Sequence, residues 1–123
     1  MKFAETDPSE DGLAIKAYEP GAVVIGEGRF THSVLLMPDW VTDWPVSDAA
    51  ELASAHLEPI IERTPELLIL GTGRRQRFPS PASYADLMRK HIGIEIMDTG
   101  AACRTYNILM AEGRRVAAAL IID

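Results

Sequence analysis

Three arginines follow a Gly-x-Gly turn in Gly71-Thr72-Gly73-Arg74-Arg75-Gln76-Arg77, and no other stretch of the chain is better equipped to hold a ligand. Glycines let backbone amides approach a bound group, and guanidinium forks match carboxylate and phosphate oxygens. A second stretch, Asp98-Thr99-Gly100, opens a predicted helix whose first amides favour an anion, with Thr99 as a hydroxyl donor. Arg104 follows about one and a half turns later. Gly71, Thr72, Gly73, Arg74, Arg75, Arg77, Thr99, Gly100 and Arg104 are therefore the candidate anion site. The motif is loose. No Gly-Lys-Ser/Thr follows Gly73, so this is not a Walker loop, and Gln76 stands where a dinucleotide fingerprint needs its third glycine. The plainer reading is a strand-exit turn whose arginines snorkel or pair with acids.

The remaining reactive side chains are scattered. Cys103 lies near a helix start, where a thiol pKa can fall, but it shares an apolar stripe with Ala102 and Tyr106 and reads better as a small buried side chain. His32, His56 and His91 show no metal-ligand spacing, so no metal site is assigned. Glu95 and Asp98, three apart around a strand end, point to opposite faces, and Asp98 reads as a helix cap. No Gly-x-Ser-x-Gly elbow is present. No catalytic residue and no cofactor are assigned. Trp40 and Trp44, with Met37, Pro38, Val41 and Pro45, fall in a predicted loop. They suit a protein-binding anchor or a satellite cluster over the sheet edge, and both readings stay open.

Composition bounds these readings. The chain has 123 residues and is 47% hydrophobic, enough for a core without metal or disulfide support. The net charge of −6 argues against a nucleic-acid partner. It is uneven: residues 1–66 carry 4 basic and 13 acidic side chains, residues 67–123 carry 8 and 5. The basic surplus of the second half keeps a small-anion ligand in play. One cysteine excludes an intramolecular disulfide. The first residues lack the basic and apolar regions of a signal peptide, and no apolar run approaches the ~18 residues of a membrane helix. The expectation is a cytoplasmic protein that does not insert into membranes, with a flexible acidic tail over 1–12 and one α/β domain over 13–123. Self-association is left open.

The elements that must position the candidate site follow from apolar periodicity. Leu13 to Ala17, Ala22 to Ile25 and Phe30 to Leu36 read as three strands of an antiparallel meander, with Glu19-Pro20-Gly21 and Gly26-Glu27-Gly28 as turns. A helix is predicted from Asp48, with Glu51 completing a capping box and Pro59 ending or kinking it. Leu67-Leu68-Ile69-Leu70 suits a strand buried on both faces. Ser80-Pro81 starts a helix with Tyr84, Leu87 and Met88 as its buried stripe, stopped by Gly93. Ile94 and Ile96 mark a short strand. Asp98 or Thr99 caps a third helix ending at Gly113, and Val116 to Ile122 closes the chain as a strand. Strand, helix, strand, helix, strand from Leu67 onward implies a mostly parallel sheet.

The stretches Leu70-Gly71-Thr72-Gly73-Arg74-Arg75-Gln76 and Glu95 to Asn107, the latter containing Thr-x-x-Ala-x-Arg-Thr-x-Asn, carry a resemblance. They are similar to a family of small, long-uncharacterised proteins that includes mitochondrial complex I assembly factor 3 and an adipogenesis-associated domain protein. The resemblance runs roughly from Ile15 to Ile121 and is densest from Pro65 onward. It implies a three-layer α/β fold with a mixed central sheet. It also implies no established enzymatic activity, and a role in binding partners while a membrane respiratory complex is built. On that basis the expected function is a non-catalytic assembly module with protein partners, and the alternative is a small-anion or metabolite-binding domain using the Gly71–Arg77 loop.

Overall fold

The computed structural model describes residues 12–123, so the acidic tail expected over 1–12 lies outside the described residues except at Gly12. Strands β1 (Ile15–Glu19), β2 (Ala22–Ile25) and β3 (Gly28–Phe30) form a small antiparallel sheet in the order β1-β2-β3. The expected meander is therefore real, but it forms a sheet of its own. The predicted third strand, Phe30 to Leu36, divides in two. The chain bends at residues 31–33, and β4 (Val34–Met37) enters a second, five-stranded sheet. The bend is held by buried Ser33, whose carbonyl accepts from Trp44 N–H at 2.9 Å and whose hydroxyl accepts from Ile122 N–H at 3.0 Å.

Residues 38–45 are not a loop throughout. Trp40–Asp43 forms β5, a hairpin partner of β4 with Met37 opposite Trp40. Sequence reading missed it because Pro38, Asp39 and Pro45 crowd turn formers around only four strand residues.

The helix expected from Asp48 is also broken. Asp48 caps only a 3-10 turn, Ala49–Glu51, by accepting from Ala50 N–H at 2.8 Å. Glu51 turns back to Ser47 instead, and backbone and hydroxyl bonds from Ser47 hold its carboxyl below the usual carboxylate range. Leu52 and Ala53 are extended, a second 3-10 turn runs over Ser54–Leu57, and α1 covers only Glu58–Arg63. Pro59 stands in the first turn of α1 rather than at its end. Proline has no N–H to offer the preceding turn and is tolerated where that N–H would lack a helical partner.

From here the expected rhythm holds. β6 (Leu67–Gly71), a 3-10 turn over Pro81–Tyr84 leading into α2 (Ala85–Arg89), β7 (Gly93–Met97), α3 (Thr99–Ala111) and β8 (Val116–Leu120) follow in order. Gly93 begins β7 rather than stopping α2. The stop is His91, at φ 61°, after which Ile92 N–H bonds back to Leu87 O. Met88, expected in the buried stripe of α2, is 60% exposed, whereas Leu87 is fully buried.

The large sheet has the order β5-β4-β8-β6-β7, with β8, β6 and β7 parallel and β4 antiparallel to both of its neighbours. The path from β6 to β7 moves outward by one strand, and the path from β7 to β8 returns across β6. Right-handed crossovers in opposite directions put their helices on opposite faces. Accordingly Leu87 of α2 packs with Leu68, Leu70, Ala117 and Ala119 on one face, together with Ile60 of α1. Ala102, Cys103 and Tyr106 of α3 pack with Ile69, Val116, Ala118 and Leu120 on the other. Val23 and Ile25 of the small sheet join that second core. The result is a three-layer α/β fold with a mixed central sheet.

Candidate functional site

The carboxyl ends of β6 and β7 lie side by side, and the chain leaves them toward opposite faces of the sheet. This is where an open α/β sheet usually receives a ligand. In this protein the position is filled by two threonines. Thr99 is fully buried; its hydroxyl accepts from Gly73 N–H at 2.7 Å and donates to Ile121 O at 2.7 Å. Thr99 N–H in turn donates to Gly73 O at 2.8 Å. Thr72, 3% exposed, accepts from Arg77 N–H at 3.0 Å and donates to Arg75 O at 2.6 Å, while its own N–H reaches Met97 O at 2.9 Å. The two hydroxyls thus join the ends of β6, β7 and β8 to the start of α3.

The glycines of this loop are there for close approach. A Cβ on Gly71 would stand 2.9 Å from both Cα and Oγ1 of Thr99 and 3.0 Å from Cβ of Ala102. Gly73 sits at φ +100°, and a Cβ there would meet the Asp123 carboxylate at 2.6 Å. Only glycine lets α3 lie this tightly on the strand end.

The nine residues expected to form an anion site fall into three groups. Gly71, Thr72, Gly73 and Thr99 make the bonded junction just described. Arg74, Arg75 and Arg77 project from the loop as exposed side chains, and Arg74 reaches the carbonyl of Asp123 at 3.3 Å and its carboxylate at 3.8 Å. Gly100 and Arg104 belong to neither group. They face β1 across a cleft of about 290 Å³ lined by Ile15, Lys16, Ala17, Tyr18, Gly100, Cys103, Arg104 and Asn107. The start of α3 is capped by Asp98, which accepts from Ala101 N–H at 2.9 Å, as its sequence position suggested.

Tyr18, Lys16, Asn107 and Asp123 escaped the sequence reading. Asn107 binds β1 like a neighbouring strand: its side chain accepts from Ile15 N–H at 2.9 Å and donates to Ile15 O at 2.7 Å. Tyr106 donates to Leu13 O at 3.1 Å. On the helix side a signal was present, because positions 100, 103, 104 and 107 follow the spacing of one helix face. On the strand side none was, since Ile15 and Asn107 are 92 residues apart.

Cys103 is 4% exposed, and burial pushes its thiol up to about 12, against which nearby Arg104 has only a partial lowering effect. It is a small core side chain here, as the apolar stripe suggested. Burial, followed by the charge of Asp123, raises Tyr18, so its hydroxyl keeps its proton. Trp44 is 3% exposed and its indole donates to His56 O at 2.9 Å. Trp40 is half-buried, with the Arg63 guanidinium 3.9 Å above its ring. Among the described residues no group of His, Cys, Asp and Glu is placed to hold a metal ion. Also among them, no helix is long and apolar enough to cross a membrane.

Residues 15–121 match the family described as protein of unknown function (DUF498/DUF598). The chain is similar to the 13 kDa major membrane protein of Francisella tularensis subsp. holarctica, 27% identical over 98% of this chain and 100% of that one. It is 31% identical to the NADH dehydrogenase [ubiquinone] 1 alpha subcomplex assembly factor 3 of Danio rerio, over 89% of this chain but only 64% of that longer protein. A crystal structure of a Bordetella parapertussis protein superposes with a TM-score of 0.87 at 41% identity, covering 94% of this chain and 100% of that one.

Proposed function

Because the chain belongs to the DUF498/DUF598 family of proteins of unknown function, we propose that it is a non-catalytic binding module that docks on protein partners while a membrane complex is assembled. The observation that carries this reading is the similarity to an assembly factor across 89% of the chain. The chain spans 64% of that factor's length, so its partners are proposed as a class and not carried over one by one. The fold supports the reading in a second way. The polar groups at the usual ligand position are bonded to one another, which makes that end of the sheet a rigid platform.

We assign the docking surface to the outer edge of β5. β5 is an edge strand, and edge strands present backbone groups that a partner can pair with. It carries Trp40 under the Arg63 guanidinium, and tryptophan and arginine are the residue types that most often dominate interfaces. Trp44, buried behind it, fixes the strand end. In this reading the protein works in the cytoplasm and meets membrane-complex subunits without entering the bilayer itself.

The test is purification of a tagged full chain from its native cells, with mass spectrometry of the soluble and the detergent-solubilised membrane fractions. Membrane-complex subunits should accompany the wild type and be depleted with Trp40→Ala, a variant checked for folding by circular dichroism. A wild-type protein that arrives without partners in both fractions would sink the proposal.

A further inference from the structure

Helix α3 turns one face toward β1: Gly100, Cys103, Arg104 and Asn107, spaced i, i+3, i+4 and i+7. Two of these residues set the walls of the cleft. Asn107 clamps Ile15 through both of its backbone groups. Gly100 leaves room for the Tyr18 ring, which a Cβ at position 100 would touch at 3.4 Å. The register of β1 against β2 slips between Ile15 and Ala17, so Lys16 has no cross-strand partner. A bulge of this kind re-aims the side chain it carries.

The charge pattern of the cleft is unusual for this acidic chain. Lys16 lines one wall and Arg104 the other, both exposed, and among the described residues neither is in an ion pair. The acids nearest the Tyr18 end are occupied: Asp98 caps α3, and Asp123 pairs with Arg74. Tyr18 and Cys103 both keep their protons, so they add neutral donors and no negative charge. Two unpaired cations on facing walls of a partly enclosed space suit a group carrying negative charge.

We propose that the cleft between β1 and α3 is a binding site for a small anionic metabolite, held by Lys16 and Arg104 through its phosphate or carboxylate group. The volume of about 290 Å³ lies at the low end of small-molecule sites, which run from about 300 to 1,000 Å³. It suits a phosphate monoester or a short dicarboxylate and is too small for a dinucleotide. This site goes beyond the docking function and does not depend on it. It is also separate from the Gly71–Arg77 loop.

The experiment is a two-dimensional NMR titration of the isotope-labelled full chain with two probes, inorganic phosphate and succinate. Saturable shifts are expected at the amides of residues 15–18 and 100–104 with at least one probe, and which probe saturates fixes the chemical class. Arg104→Ala and Lys16→Ala should each weaken binding roughly tenfold, the usual scale for losing one charge-assisted hydrogen bond. Both side chains are exposed, so these variants should keep the wild-type spectrum elsewhere. Arg74→Ala should bind as the wild type does. The proposal is overturned if neither probe gives a saturable shift, if binding survives both substitutions, or if the shifts centre on residues 72–77 and vanish with Arg74→Ala.

Discussion

Gly73 and Thr99 exchange two hydrogen bonds: Gly73 N–H donates to Thr99 Oγ1 at 2.7 Å, and Thr99 N–H donates back to Gly73 O at 2.8 Å. The same hydroxyl donates to Ile121 O, so one side chain ties together the exits of β6 and β8 and the start of α3. Thr99→Val keeps the shape and removes the oxygen. It strands a buried N–H and a buried C=O, which should cost about 2–6 kcal/mol in total at 1–3 kcal/mol for each stranded group. Thr99→Ser keeps both bonds and should recover most of the loss. Urea denaturation of the two variants decides; a loss in Thr99→Ser with none in Thr99→Val would mean that the methyl group, not the hydroxyl, holds the junction.

Gly71→Ala tests the close approach of α3. The new methyl would collide with the backbone and hydroxyl of Thr99 and with Ala102, none of which can swing aside. Overpacking of this kind costs about 1–3 kcal/mol. Gly113 is a useful contrast: a Cβ there would meet nothing within 4 Å, although its φ is +82°. Gly113→Asn, in a conformation asparagine tolerates, should change stability far less. Thermal melts of the pair give the comparison.

Asn107→Ala should release β1 from α3. Both bonds to Ile15 disappear, and the hydrogen exchange of the Ile15 amide should accelerate well beyond that of Val24 in the neighbouring strand. Tyr106→Phe removes a single bond, to Leu13 O, and should cost about 1 kcal/mol plus any penalty for the orphaned carbonyl. An Ile15 exchange rate that changes with neither substitution would show that β1 is held by the core alone.

Alkaline pH should destabilise the fold. The native Cys103 thiol is raised from 9.0 to about 12 by burial, and burial also raises Tyr106. Above pH 9 the unfolded chain releases a thiol proton that the native state keeps, so the unfolded state binds fewer protons and stability falls with rising pH. The contribution is intact below pH 9.0 and is lost progressively up to about 12. Cys103→Ala should flatten the first part of that decline in urea midpoints taken between pH 7 and 11. For the same reason the native thiol should resist alkylation at pH 8, and react only on unfolding.

Much of the architecture was legible. The run Leu67–Leu70, the alternation at Ile94 and Ile96, the cap at Asp98 and the terminator at Gly113 are local signals, and each marks the element it suggested. Elements whose form depends on distant partners were not legible. Residues 48–63 have a helical apolar period, yet the backbone breaks at Leu52 and Ala53. The His56 carbonyl accepts from the Trp44 indole, and its ring accepts from Ala53 N–H. Val34 to Met37 looked continuous with Phe30 until the bend at Ser33 carried it to the other sheet.

The candidate site divides along the same line. The types of Gly71, Thr72, Gly73, Thr99, Gly100 and Arg104 could be read along the chain as groups able to meet an anion. Their assignment could not, because it turns on which atoms close the distance. Thr99 faces Gly73 and Ile121 at separations of 26 and 22 residues. Arg104 and Gly100 face a strand more than 80 residues earlier. A sequence by itself determines the local periods, caps and turns, since those energies are set within a few residues. Which hydroxyl is buried and bonded, and which cation stands open beside a cleft, is decided only when non-neighbouring elements pack. Burial and hydrogen-bond partnership are properties of that contact and not of the residue alone.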